Sequence, residues 1–596
     1  MKKIFLATLI IMLGILAPSC AKFLMENPTT SLSEGTAYAD EETLEAQIYG
    51  CYASFHADGL WKGTMAEYFH TSSGLLIWKG GRATDEWLDG LKLGKYSTST
   101  FGNYNIWRDI FTGINRCNKL LDNLPGSPVD AAFKTEIEAE AKFLRAVLYF
   151  TAVRIWGDVP LYTKSPTLIE ETSSPRTRFD LVYKQVLDDL TFAEENMRDA
   201  ARSEAVAPGK GRPVKMAATA FKASVYMTIG SLLSAPADDN FWDASDAPDF
   251  TPCDGIKDSK DAYLLAYQAA CKVIDSGQYK LVDDYRTLFR WSEEGDWSLP
   301  ERIMCLESSP KTGVNYNSVR MLPLFPEGTS DYTVDNMNNY GRVRPSRWLV
   351  ENFIKYSGGT YGDGNLNKNL YAITADPRFD VTFYHDYKRL DTGERMLTYP
   401  DNSAVGTNNT HTSLPYYRKY ADPTYNVDNG RADFYLMRFA EMYLIAAESA
   451  AALCECIGDE WCDIAIRNVN VIRTRARNSV DKGQALAPLN YFTEDFEDSV
   501  ENLRDAIWWE RSVEMSGEGH ERFDTHRFGA TWLANKVAIP ENKFFEADMH
   551  MRYYQYTYYS TFPTTPAELR KSLLNAIPLN EMTYNSAISQ NKYYWQ

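Results

Sequence analysis

Beyond its first sixteen residues, this 596-residue chain contains no apolar run approaching the roughly 20 residues that a membrane-crossing helix needs. It is also short of positive charge. There are 62 Lys and Arg against 80 Asp and Glu, a formal net charge of −18, and such a surface repels nucleic acid and anionic lipid, so both are set aside as partners. Histidine is scarce: of seven residues, the two nearest one another, His520 and His526, stand six apart, whereas a zinc-binding helix needs them at i and i+4. Neither a Gly-rich phosphate loop nor a Ser-His-Asp grouping is evident, and no cofactor is implied. Cysteine is sparse as well, and Cys454-x-Cys456-x5-Cys462 is the only cluster. No histidine near it completes the four ligands that zinc wants. A disulfide is the expected state in an oxidising exported compartment, and Gly458 marks a tight turn between helices there.

What the chain does have begins with an export signal. Lys2 and Lys3 precede an apolar run from Ile4 to Leu16, followed by Ala17-Pro18-Ser19-Cys20. A cysteine directly after small residues indicates lipoprotein processing, with Cys20 acylated as the new N-terminus. The alternative is an ordinary secreted protein with an incidental cysteine. With 44% hydrophobic and 24% charged residues, the remainder has the composition of a globular chain with ample core. Aromatics are abundant at 13%, with 38 Tyr and 14 Trp, residues that suit both core edges and half-wet binding surfaces.

The longest periodic stretch runs from Glu138 to Leu161. Ile137, Ala141, Leu144, Leu148, Thr151 and Ile155 recur in steps of three and four, and Phe143, Val147, Phe150 and Val153 widen the stripe, so this helix packs on two sides. Gly157 and Pro160 stop it. Other helices are expected from near Asp40 (Leu44, Ile48, Cys51), from Tyr104 to Leu121, after Thr177 with Asp180 as an acidic N3, and from Gly211-Arg212-Pro213 with the proline at the helix start. More follow around Tyr263 to Ile274, from Leu436, Phe439 and Tyr443 onward, over Ile464 to Ala476, and over Leu503 to Met515. No strict 34-residue repeat is visible, so spacing alone gives divergent helical pairs.

Two segments break the periodicity. Residues 56–102 are rich in Gly and carry Trp61, Trp78, Trp87, Tyr68 and Tyr96; they form either a functional loop or a connector whose tryptophans pack back onto the helices. Residues 279–430 are rich in Gly, Asn, Asp, Pro and Tyr, with short runs at Arg302 to Leu306 and Phe379 to Tyr384 that suit small strands. The expected organisation is a signal peptide at 1–19, an N-terminal helical scaffold at 20–278, a loop-rich insertion at 279–430 and a C-terminal helical scaffold at 431–596 packing with the first as one unit.

Several stretches stand in a characteristic order: Ser19-Cys20, Ile114-Asn115-Arg116-Cys117-Asn118, Trp156-Gly157-Asp158-Val159-Pro160-Leu161, Gly211-Arg212-Pro213 and Leu436-Met437-Arg438-Phe439-Ala440-Glu441. After them come Asn470 through Ala476, Glu510-Arg511-Ser512-Val513-Glu514, Gly519-His520-Glu521-Arg522, Ile577-Pro578 and Gln590-Asn591. Taken together, they resemble the SusD/RagB family of outer-membrane lipoproteins. The resemblance implies a mainly α fold of about four tetratricopeptide-like helix pairs in a superhelical scaffold, with a loop-rich insertion containing small β elements. It also implies a lipid anchor at the outer face of the outer membrane, a SusC-like TonB-dependent β-barrel transporter as partner, and an oligo- or polysaccharide ligand. Some relatives handle peptides instead, and no bond-breaking activity or cofactor is implied.

A helical glycoside hydrolase is the more distant alternative, and it needs two carboxyls across a cleft. Glu510 and Glu514, followed by Glu518, are the tempting set, but Arg511, Arg522 and Arg527 nearby favour low carboxylate pKa values and a structural ion-pair region. Sugar binding asks instead for flat aromatic faces flanked by planar polar groups. The glycan-binding candidates are Trp78, Arg82, Trp87 and Tyr96 in the first loop and Trp291, Tyr316 and Asn317 in the insertion, with Trp78 and Trp87 stacking and Arg82 and Asn317 donating hydrogen bonds.

Overall fold

The structure is a computed structural model that describes residues 36–65, 68, 72–78, 98, 101–200, 212–289, 299–307, 343–356, 376–384, 386–388, 395–398, 416–417, 419–420, 433–479, 492, 500–548 and 562–593. Helix α1 (Glu41–Ala53) opens as expected at Asp40, whose carboxylate accepts from Thr43 N at 2.8 Å in a capping box, and it buries Leu44, Ile48 and Cys51. Helix α2 (Phe101–Asn123) leads to α3 (Ala131–Trp156), which starts seven residues before Glu138 because Asp130 Oδ2 accepts from Ala132 N at 2.8 Å and caps it there. In keeping with the double stripe, α3 packs against both α2 and α4 (Phe179–Asn196), with α1 also against it. Gly157 ends α3 at φ +70°, and a Cβ there would lie 2.7 Å from Leu574 Cδ1.

Two helix starts differ from expectation. Thr177 does not cap α4; it forms an antiparallel bridge with Val159, and Phe179 N donates instead to Asp158 Oδ1 at 2.8 Å. The W-G-D-V-P exit of one helix therefore caps the next. Helix α5 (Lys215–Ser234) begins two residues after Pro213, because the neighbouring Arg212 is drawn into a buried ion pair with Glu140 and Glu45 before the helix can start. Helix α6 (Ser259–Asp275) closes against α5, where Gly230 admits the Tyr263 ring so tightly that a Cβ would meet it at 3.0 Å.

The ladder continues through α7 (Arg347–Tyr356), α8 (Ala440–Cys456), α9 (Glu460–Asn478), α10 (Val500–Glu514), α11 (Glu521–His526) and α12 (Ile539–Asp548). Helix α2 packs on α3, α3 on α4, α4 on α5, α5 on α6, α6 on α8, and α8 on both α9 and α10, the arrangement of tetratricopeptide-like helix pairs. Cys454 and Cys462 are joined in a disulfide that closes the turn between α8 and α9, and Cys456 is free and exposed.

Among the described residues, eight strands form four two-stranded antiparallel sheets: β1 (Leu76–Trp78) with β3 (Val343–Pro345), β2 (Arg302–Leu306) with β8 (Phe434–Arg438), β4 (Phe383–Tyr384) with β7 (Tyr416–Tyr417), and β5 (Asp386–Lys388) with β6 (Arg395–Thr398). Leu436 is thus in a strand and not in the helix its spacing suggested; pairing with β2 holds the chain extended until Phe439. Of the run Phe379 to Tyr384, only the last two residues are strand, since Arg378–Thr382 is a helical turn. The C-terminal segment clamps the end of α3. Asn591 Nδ2 donates to Trp156 O and Asn575 O, Trp156 Nε1 donates to Asn103 Oδ1 at 3.0 Å, and Gln590 brackets both backbone groups of Ile577. Among the described residues, no helix is long and apolar enough to cross a membrane.

Candidate ligand-binding face

Trp78 is the last residue of β1 and stands opposite Val343, the first of β3. Arg82, Trp87, Tyr96, Trp291, Tyr316 and Asn317 lie outside the described residues, as does Cys20. The strand pair nevertheless has a topological consequence. In the chain, segment 79–97 follows Trp78 and segment 308–342, which carries Tyr316 and Asn317, precedes Val343, so the register pairs the residue before one candidate segment with the residue after the other.

That strand pair is built on a rigid base. Ser346 N donates to Leu75 O at 2.8 Å, and Ser346 Oγ accepts from Leu349 N at 3.1 Å, fixing the start of α7. Trp348 follows. Its backbone N donates to Glu541 Oε2 at 2.9 Å and its indole Nε1 to Lys536 O at 2.7 Å, the carbonyl lying within a single π-helical turn, Ala534–Ala538. The ring packs edge-on against Trp509 at 5.3 Å, and Trp509 continues through Trp508 to Trp532. Edge-to-face contacts of this kind add specific geometry to a large apolar burial. Helix α7 was missed in the sequence because its apolar residues Trp348, Leu349, Val350, Phe353 and Ile354 keep helical spacing over only ten residues amid loop-like composition.

The carboxylates Glu510, Glu514 and Glu518 belong to a fully buried ion network. Glu510, Glu514 and Glu518 are each 2% exposed or less. Arg378 donates to Glu510 at 2.6 Å, to Glu514 at 2.9 Å and to Asp376 at 2.7 Å; Arg438 donates to Glu514 at 2.7 Å and to Glu518 at 2.7 Å; Arg473 donates to Glu510 at 2.5 Å. Arg475 reaches both Glu301 and Glu514, and Lys419 pairs with Glu518 at 2.9 Å. Burial by itself pushes the Glu514 carboxyl up, but Arg475, Arg438 and Arg378 outweigh it and hold the group well below the usual carboxylate range. Glu518 is held low against the same burial by Arg438 and Lys419. Carboxylates this enclosed and this acidic do not serve as a general acid at neutral pH.

The ion-pair character expected of this region is present, but its cations differ from those expected. Arg511 instead pairs with Glu441 and Asp524, both at 2.8 Å, Arg527 pairs with Glu448, and Arg522 donates to Asn575 Oδ1 at 3.3 Å. The true partners come from far along the chain. Arg378 and Lys419 belong to the insertion, so the network fastens it to α9 and α10. The alternation of Arg473 and Arg475 was the available sequence signal, whereas nothing local marked Arg378 or Lys419.

A family model described as SusD family matches residues 300–595, and a second, SusD-like, described as starch-binding associating with outer membrane, matches residues 23–227. The chain belongs to the SusD/RagB-like family. Among SusD-like relatives, the protein P25 of Formosa agariphila is 23% identical over 568 residues, covering 90% of this chain and 92% of its own length. A SusD-like carbohydrate-binding protein of Bacteroides fragilis shares the fold at a TM-score of 0.68 and 20% identity, covering 93% of this chain and 100% of that one. A laminarin-binding SusD-like protein does so at a TM-score of 0.60 and 19% identity, covering 94% of this chain and 100% of that one.

Proposed function

We propose that this SusD-like protein is a cell-surface lipoprotein that captures an oligo- or polysaccharide and delivers it, uncleaved, to a SusC-like TonB-dependent β-barrel transporter. Cys20 carries the lipid anchor, and the protein faces outward from the outer membrane. The observation behind the ligand reading is the β1–β3 pair, in which Trp78, the last residue before segment 79–97, stands opposite Val343, the first after segment 308–342. Flat rings with planar polar groups between them suit the C–H faces and hydroxyl rims of pyranoses. Family membership, with a carbohydrate-binding and a laminarin-binding protein among the structural neighbours, supports the same reading. The enclosed state of Glu510, Glu514 and Glu518 supports capture without cleavage.

The test is the double substitution Trp78→Ala with Trp87→Ala, assayed for retention by the polysaccharide that the unsubstituted protein binds. Loss of retention with an unchanged melting temperature is the expected result. Full retention by a folded double variant would remove these two rings from the ligand face.

A further inference from the structure

A groove of about 330 Å³ lies between the outer side of α2, the segment 160–172 that follows the α3 exit, and the short helix Leu579–Tyr584. We propose that it is a second saccharide subsite, taking one neutral pyranose unit of the same chain that the β1–β3 face captures. The proposal rests on the glycan-capture reading above and adds a place on the molecule to it.

Three observations carry it. First, the aromatic walls are locked before any ligand arrives. Trp107 and Phe111 pack at 4.7 Å between ring centres, Phe111 meets Tyr162 edge-on at 6.2 Å, and Tyr162 is pinned at both ends, its N donating to Tyr149 Oη at 2.7 Å and its hydroxyl to Thr172 O at 2.8 Å. Second, the polar groups are half used. Asn115 Oδ1 accepts from Ser165 Oγ at 2.9 Å, which orients the amide and presents Nδ2 as a donor. Arg108 Nε is held by Asp109 at 2.7 Å, which sets the plane of the guanidinium, and Thr112 Oγ1 donates to Arg108 O at 2.7 Å, keeping its own lone pairs for a ligand hydroxyl. Arg108, Thr112 and Asn115 recur at helical spacing along α2, so one element holds all three. Third, the helix that forms the groove's lip is tied to the chain just before α2, since Leu579 N donates to Thr98 O at 2.8 Å.

The chemistry selects the ligand class. A lining that mixes apolar rings with single hydrogen-bonding groups matches a pyranose, which has an apolar face and a hydroxyl rim, better than it matches a purely apolar molecule. Glu581 on the lip and the net charge of −18 disfavour an anionic sugar.

The experiment titrates laminarihexaose, maltohexaose, xylohexaose and mannohexaose into the chain from Ala21 onward by calorimetry. The double variant Arg108→Ala/Asn115→Ala and the plugging variant Thr112→Arg are compared on whichever hexaose binds. Loss of two hydrogen bonds, or occlusion of the groove, weakens binding roughly tenfold or more. A crystal of the unsubstituted protein with that hexaose shows a pyranose against Phe111 and Tyr162. Affinities within twofold of the unsubstituted protein, or an empty groove with hexaose bound elsewhere, overturn the subsite and leave glycan capture standing. Absence of binding to all four hexaoses and to their parent polymers overturns both.

Discussion

Glu514→Gln removes one negative charge from a site where three guanidinium groups converge, and its outcome separates a structural carboxylate from a catalytic one. Glu514 accepts from Arg378 at 2.9 Å and from Arg438 at 2.7 Å, also pairs with Arg475, and is fully buried. Gln keeps the shape but turns one acceptor into a donor among donors, leaving buried guanidinium charge uncompensated. Removing one partner of a buried pair costs about 3–5 kcal/mol, against a total stability on the order of 5–15 kcal/mol. The assay is urea unfolding followed by tryptophan fluorescence, read as a lower midpoint at constant slope. The pH dependence has a definite sign. Because the folded carboxyl lies below the unfolded value of 4.5, its contribution is complete above that pH and is lost only as pH falls from there toward the folded value. A loss under about 1 kcal/mol would refute the reasoning. A stable Glu514→Gln protein that had lost a product-forming activity would make the residue catalytic.

Three further outcomes follow from particular sites. At Glu194, burial raises the carboxyl, but Lys272, Lys222 and Thr219 outweigh it and hold it at about 2. Its stabilisation is therefore present above 4.5 and lost between there and about 2, so Glu194→Gln flattens that limb of the stability curve. Reducing the Cys454–Cys462 disulfide, or Cys462→Ser, lowers stability by about 2.5 kcal/mol, the value for so short a loop, and thiol titration under denaturing conditions before reduction detects Cys456 but neither Cys454 nor Cys462. Gly157→Ala forces a side chain into positive φ and against Leu574, costing about 2 kcal/mol in thermal unfolding.

The helical scaffold was legible because its signals are local. The stripes of α1, α3 and α6, the cap at Asp40 and the stop at Gly157 each act within a few residues of themselves. The failures occurred where a distant partner decides. Leu436 is extended because β8 pairs with β2, which lies more than 100 residues earlier, and Asp158, read only as part of a helix stop, caps α4 across a bridge. Periodicity cannot report such pairings. The candidate face was legible only as composition. The sequence flagged both aromatic segments, and the structure added only that Trp78, just before one, pairs with Val343, just after the other. The groove on α2 escaped notice because Trp107, Phe111 and Asn115 read as ordinary helix residues until segment 160–172 and Glu581 close over them.

The most direct test of glycan capture is native affinity electrophoresis of the chain from Ala21 onward through gels containing a panel of plant, host and microbial polysaccharides, with product analysis of the same mixtures. Retardation by a polymer without new reducing ends is the predicted result. Unretarded migration in every gel would contradict glycan capture and point to a peptide ligand, and new reducing ends would contradict capture without cleavage.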